Sequence, residues 1–212
     1  MHAETGGTRI SLDEVLGDAQ DLGFFSPQPI TRQRELAEGL VPRIRALVGE
    51  EPRTLDLGAG GGLPGLVLAH ELPAMCLTML DANGRRCAFL REAVQRLELA
   101  NADVLEGRAE GLVDEARREA FDLVVARGFG PPAATAECAS PYLKVGGYLL
   151  VTEPPEAGET ARRWSSEGLA GLGLGPAELQ AGSPAAVAMR KDSPTPERFP
   201  RRDGVAAKRP LF

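Results

Sequence analysis

An acid followed closely by a run of glycines is the first place in this chain where chemistry can be read from residue type and spacing. Residues 53–65 run Arg-Thr-Leu-Asp-Leu-Gly-Ala-Gly-Gly-Gly-Leu-Pro-Gly, with Asp56 ahead of glycines at 58, 60, 61 and 62. Glycines let a turn take positive φ and leave no Cβ to hold off a ligand. Thr54, Leu55 and Leu57 read as a short buried strand before the turn, and Leu63 to Glu71 has the composition of a helix after it. Strand, glycine turn and helix make a nucleotide-binding α/β unit, whose helix N-terminus offers free N–H groups. A second strand, Leu77 to Leu80, ends in Asp81, where a carboxylate can accept both hydroxyls of a ribose.

Two ligands fit this frame. Gly60-x-Gly62-x-x-Gly65 matches the dinucleotide fingerprint, a weak signal on its own. The overlapping frame Gly58-x-Gly60-x-Gly62 directly follows Asp56-Leu57. A carboxylate there repels a pyrophosphate and suits the ammonium of a methionine moiety. The expected cofactor is therefore S-adenosyl-L-methionine, held by Asp56, Gly58, Gly60, Gly62 and Asp81. A tight turn with a solvated Asp56 is the structural alternative.

Positioning these residues takes a sheet. From Thr54 onward strands and helices alternate, which argues for a mostly parallel α/β sheet covered on both faces, with about seven strands in a Rossmann-like methyltransferase arrangement. Further strands are expected at 103–106, 121–126, 148–152 and 184–191. Helices are expected at 84–99, 133–143 and 160–172. Ahead of the sheet, Ser11-Leu-Asp-Glu14 is a capping box opening a helix, and Leu36, Leu40, Ile44, Leu47 and Val48 form an apolar stripe kinked or split at Pro42. Between them Phe24 and Phe25 either plug a core or line a pocket. The chain divides into a helical arm (1–52, its first ten residues expected to be disordered), a cofactor-binding domain (53–191) and a basic tail (192–212). Ligands in open α/β sheets lie outside the carboxyl ends of the strands. Gly58 to Gly62, Asp81, Ala109-Glu110, Arg127 and Glu153 are therefore the candidates by position.

Composition narrows the partners. Apolar content of 43% and charged content of 25% belong to a globular chain, and no uncharged run reaches the length of a membrane span. A cytoplasmic location follows by default. Cys76, Cys87 and Cys138 are odd in number and scattered, indicating no disulfide framework and no metal site; each is expected to be a small buried hydrophobe. The net charge of −6 argues against nucleic acid, yet Arg190 to Phe212 holds seven basic and three acidic residues. A basic end on an acidic body is either a phosphate contact or a solvated tail.

The motifs together resemble a family. Leu55-Asp-Leu-Gly-Ala-Gly-Gly-Gly-Leu-Pro-Gly65, Asp81 with Arg85-Arg86-x-x-Phe89-Leu90, Arg108-Ala-Glu110, Ala126-Arg127 and the tail Phe199 to Leu211 are similar to RsmG (GidB). Those bacterial enzymes methylate guanine N7 in small-subunit ribosomal RNA. The resemblance implies that Gly58 and Leu63 lie against the methionine end of the cofactor and Asp81 near its ribose. It puts Ala109 and Glu110 beside the adenine, and Arg127 at the mouth of the site as the catalytic residue. It implies ribosomal RNA or the small ribosomal subunit as partner, with the protein a monomer or homodimer. Three departures stand out. Residues 11–50 lack the family's Trp-Asn with Asn-Leu-Thr stretch and its His-x-x-Asp-Ser segment, and Glu153 occupies the place of a usual lysine. A carboxylate there is expected to repel a phosphate backbone, which favours a small-molecule acceptor, or a cofactor-binding module without activity, as the alternative.

The acceptor atom can be narrowed by what is absent. Methylating an amine or hydroxyl calls for a base or polar group to take a proton. The chain has two histidines, and no Asn/Asp-Pro-Pro-aromatic motif follows the fourth strand. A ring nitrogen such as guanine N7 offers an in-plane lone pair and requires no base, so catalysis reduces to positioning, with Arg127 reaching the O6 and N7 edge. A structural ion pair is the competing role for Arg127.

Overall fold

The computed structural model describes residues 10–153 and 163–212. Seven strands lie among them: β1 (Arg53–Leu57), β2 (Cys76–Asp81), β3 (Ala102–Glu106), β4 (Phe121–Ala126), β5 (Leu143–Thr152), β6 (Glu178–Gln180) and β7 (Ala186–Arg190). They form one sheet in the order β3-β2-β1-β4-β5-β7-β6. The first five run parallel and β7 lies antiparallel to both β5 and β6. The chain moves outward from β1 to β3 and then crosses back to β4 on the other side of β1. That reversal is the topological switch point at which such sheets bind ligands.

Alternation along each strand sends neighbouring residues to opposite faces. Leu123 and Val125 of β4, with Ala186 and Ala188 of β7, join one core; Val124, Ala126, Val187 and Met189 join the other. The first face is covered by α4 (Gly65–Glu71) and α5 (Gly84–Arg96) together with α1 (Leu12–Asp21), α2 (Ile30–Glu38) and α3 (Val41–Val48). The expected capping box forms: Ser11 Oγ accepts from Glu14 N at 3.2 Å, and Glu14 Oε2 accepts from Ser11 N at 2.7 Å. The apolar stripe splits into α2 and α3, with Pro42 in the first turn of α3, where its missing N–H costs nothing. Leu12, Val15, Leu16, Ala37, Leu40 and Ile44 are buried, so the N-terminal helices form a layer of the fold. Arg43 pins that layer from below: its Nε and Nη1 donate to Ala181 O at 3.0 Å and Pro184 O at 2.6 Å in the β6–β7 region.

The second face carries α6 (Pro132–Ala139), α7 (Ser166–Ala170) and α8 (Val205–Lys208). The C-terminal segment, expected from its charge to be either a phosphate contact or a solvated tail, is packed here: Phe199 and Ala206 are buried. Glu137 of α6, fully buried, receives Arg201 Nε at 2.8 Å and Arg201 N at 2.9 Å. Lys191 is buried too, donating to Leu172 O at 3.0 Å and to Thr195 Oγ1, and burial lowers its pKa to about 8. Two of the seven cations thus serve the fold, because a buried acid and a buried carbonyl needed donors. Cys87 and Cys138 are buried as expected, but Cys76 is exposed at the start of β2. Of the ten first residues expected to be disordered, 1–9 lie outside the described residues, as does the start of the helix expected at 160–172, while Ile10 is described and packs against the first core. Among the described residues no helix is long and apolar enough to cross a membrane, and no cluster of His, Cys, Asp or Glu could hold a metal ion.

Candidate active site

β1 delivers the chain into the glycine turn, where Gly58, Gly60 and Gly62 all take positive φ (76°, 59° and 99°). A Cβ at Gly58 would stand 2.6 Å from the ring of Phe129, and one at Gly65 would stand 2.5 Å from Asp56 Oδ2. At Gly65 the close approach is the reason for glycine: its N–H donates to that oxygen at 2.9 Å, tying the end of β1 to the start of α4. The other oxygen of Asp56 is buried with no hydrogen-bond partner. Burial pushes this carboxyl up to about 7, the Gly65 N–H pulls it down, Asp81 raises it and Arg127 lowers it. Asp56 is therefore buried and half-satisfied; the reading of a solvated side chain does not hold.

Asp81 ends β2 facing the turn. Its Oδ2 accepts from Gly60 N at 2.9 Å and its Oδ1 from Asn83 N at 2.8 Å, with Arg86 Nη1 3.7 Å away. Each oxygen keeps a further lone pair. Leu63 is buried beside the turn. Ala109 is buried after β3, its carbonyl accepting from Tyr142 Oη at 2.7 Å. The Glu110 side chain is turned toward the C-terminal segment, accepting from Gly204 N at 2.8 Å and Arg108 Nη2 at 3.1 Å. Burial raises its pKa, but the Gly204 N–H, its own backbone N–H and then Arg108 outweigh it and hold the carboxyl below its ordinary value.

Arg127 follows β4. Its Nη2 donates to Gln33 Oε1 at 3.0 Å, and its Nη1 is buried without a partner. Gln33, which the sequence did not single out, is fully buried in α2. Arg127 also lines a cleft of about 540 Å³ with Gln28, Arg32, Pro64, Glu153 and Pro184. Phe24 and Phe25 take the core role of the two expected for them, packing against the first core. Phe24 packs edge-on to Phe89 at 5.6 Å, and the Phe25 ring, with the Phe24 Cβ, lies where a Cβ on Gly61 would be.

Glu153 overturns its expectation. Its carboxylate is buried, accepts from Trp164 Nε1 at 2.8 Å and pairs with Arg163. A carboxylate matched by an arginine and an indole presents no free negative charge to a phosphate backbone. Sequence reasoning missed this because Arg163 and Trp164 reach it only through the fold.

Comparisons with known proteins agree with this fold. The family described as "GidB: rRNA small subunit methyltransferase G" matches residues 33–165. A ribosomal RNA small subunit methyltransferase G from Thermotoga sp. (strain RQ2) is 33% identical over 206 residues, covering 95% of this chain and 89% of that protein. Among solved structures, a putative O-methyltransferase from Klebsiella pneumoniae superposes with a TM-score of 0.58 at 20% identity, over 90% of this chain and 92% of that one. An MtNAS mutant in complex with S-adenosylmethionine gives 0.59 at 16% identity, over 85% of this chain and 73% of that one.

Proposed function

This chain belongs to the rRNA small subunit methyltransferase G family, and we propose that it transfers a methyl group from S-adenosylmethionine to N7 of a guanine in 16S ribosomal RNA. The observation that carries the reading is a pair of unfilled hydrogen-bonding atoms at the carboxyl end of the sheet, the acceptor Asp56 Oδ1 and the donor Arg127 Nη1. A buried polar atom left without a partner costs stability, so the site is built for something that binds there.

The residues fit the cofactor. Asp56 with Gly58, Gly60, Gly62 and Leu63 would hold its methionine end, Asp81 the ribose, and the backbone of Ala109-Glu110 the adenine. When bound, the cofactor supplies an electrophilic methyl on a sulfonium. Asp56, ionised, matches the ammonium with its free oxygen. Phe24, Phe25 and Phe129, packed on the glycine turn, keep water from it.

Arg127 orients the acceptor. A guanidinium donor on guanine N7 would occupy the lone pair that must attack, so Nη1 serves O6 and leaves N7 free. N7 in an A-form helix lies in a groove too narrow for side chains, so the base must be presented unpaired or extruded. No base is required, and His70 lies in the last turn of α4, paired with Glu71. With Glu153 neutralised internally, one of the two features that favoured a small-molecule acceptor is gone, the altered arm being the other.

The test is transfer of labelled methyl from S-adenosylmethionine to small ribosomal subunits from a strain lacking the protein. Incorporation into 16S RNA that is absent with subunits from the parent strain supports the reading. Failure to label either preparation, with a small molecule labelled instead, sinks it.

A further inference from the structure

Gln33 has no role in anything read from the sequence, yet it makes the hydrogen bond that holds Arg127. Its side chain is fully buried, a costly place for an amide unless every polar atom is matched. The match is one-directional. Oε1 accepts from Arg127 Nη2 at 3.0 Å, while Nε2 donates to Ser26 O at 3.1 Å and Gln28 O at 3.4 Å. With a cation on one side and two carbonyls on the other, only an amide serves both. A glutamate would suit the cation and leave the carbonyls without a donor; an apolar side chain would leave both sides unpaired.

The carbonyls belong to the segment that carries Phe24 and Phe25 onto Gly61, so one amide joins the cover of the glycine turn to the arginine beside it. Gln20 Nε2 donates to the same two carbonyls, at 2.9 Å and 2.8 Å, without being bonded to Arg127. The cover therefore keeps an anchor when Gln33 is changed.

We propose that Gln33 is a positioning residue for methyl transfer, holding the Arg127 guanidinium so that its unpartnered Nη1 meets the acceptor base. This rests on the reading above that Arg127 contacts that base. Misplacing a positioning group by about 1 Å can cost a factor of about a hundred in rate.

The experiment compares Gln33→Met, Gln20→Met, Arg127→Ala and the Gln33→Met/Arg127→Ala double variant in single-turnover transfer to unmethylated small subunits at saturating S-adenosylmethionine. Gln33→Met is expected to slow transfer at least about tenfold with affinity for S-adenosylhomocysteine unchanged. Gln20→Met, which loosens the same segment, keeps the rate. The double variant is no slower than Arg127→Ala alone, since the two residues act as one unit. Independently of activity, the Arg127 guanidinium resonances, identified by their loss in Arg127→Ala, are expected to be resolved in the unaltered protein and averaged by free rotation in Gln33→Met. A Gln33→Met protein at full rate, a double variant whose losses multiply, or Arg127 resonances unchanged in Gln33→Met would overturn the inference. If the unaltered protein labels no small subunit, the functional reading fails and the resonances alone decide the role of Gln33.

Discussion

Two acids in this fold are buried to nearly the same degree and left in opposite states. Glu137 is 0% exposed and Asp56 1% exposed. Glu137 is finished: the Arg201 guanidinium and backbone N–H both donate to it, and Arg201 itself lies on a segment otherwise held by Phe199 and Ala206. Asp56 is unfinished, with one N–H on one oxygen and nothing on the other. Burial raises the Asp56 carboxyl to about 7. A buried charge fully matched within the chain belongs to the fold; the one left half-matched beside the glycine turn is the acid that the proposed function gives to the cofactor's ammonium.

Removing the finished partner should have the largest effect. Arg201→Met strands a buried carboxylate and is expected to destabilise the protein by about 3–5 kcal/mol in chemical denaturation. Cofactor affinity measured well below the melting temperature should stay unchanged. A small stability loss with impaired binding would erase the distinction between the two acids.

Changes at the unfinished acid should behave the other way round. Asp56→Asn keeps an acceptor for the Gly65 N–H and removes a charge that burial disfavours, so the unliganded protein is expected to melt no lower than the original at pH 8. Affinity for S-adenosylmethionine should fall at least about tenfold, the loss of one charge-assisted bond. Asp81→Ala is expected to cost affinity by a similar factor, but with a loss of stability, because the Gly60 and Asn83 N–H groups lose their acceptor. Calorimetric titration beside thermal melts separates the two signs, and equal stability changes in both variants would contradict the contrast.

The pH dependence is the smallest effect and the finest test. The pKa of Asp56 is raised from 3.8 to about 7 in the folded state. Its contribution to stability is therefore fully present below about pH 4 and is lost as pH rises through about 7. Binding of an ammonium favours the ionised acid, so affinity for S-adenosylhomocysteine should rise with pH up to about 7. Asp56→Asn should remove the rising limb. Persistence of that limb in the variant would assign it to another group.

The same contrast explains what could be read before the structure. The glycine turn, Asp56 and Asp81 were legible because their roles are local: a strand end, a turn needing positive φ, and a neighbouring strand. Six of the seven strands and the paired helices around Pro42 followed from periodicity for the same reason. Gln33 was not legible, because its partner Arg127 lies 94 positions away and nothing local marks a buried amide as functional. Glu153 was misread because its type was visible and its partners, Arg163 and Trp164, were not. The basic C-terminal segment was misread likewise, since the buried Glu137 that claims Arg201 lies 64 positions away. The three-residue β6 is too short to carry a pattern.

Transfer to guanine N7 without a general base is tested most directly by borohydride–aniline treatment of 16S RNA after reaction at saturating cofactor, from pH 6 to 9. Strand scission at one guanosine, accumulating at a rate nearly flat across that range, is the expected result, because N7 carries its lone pair throughout. Labelled methyl incorporated without scission, or a rate rising about tenfold per pH unit as a base is deprotonated, would contradict it.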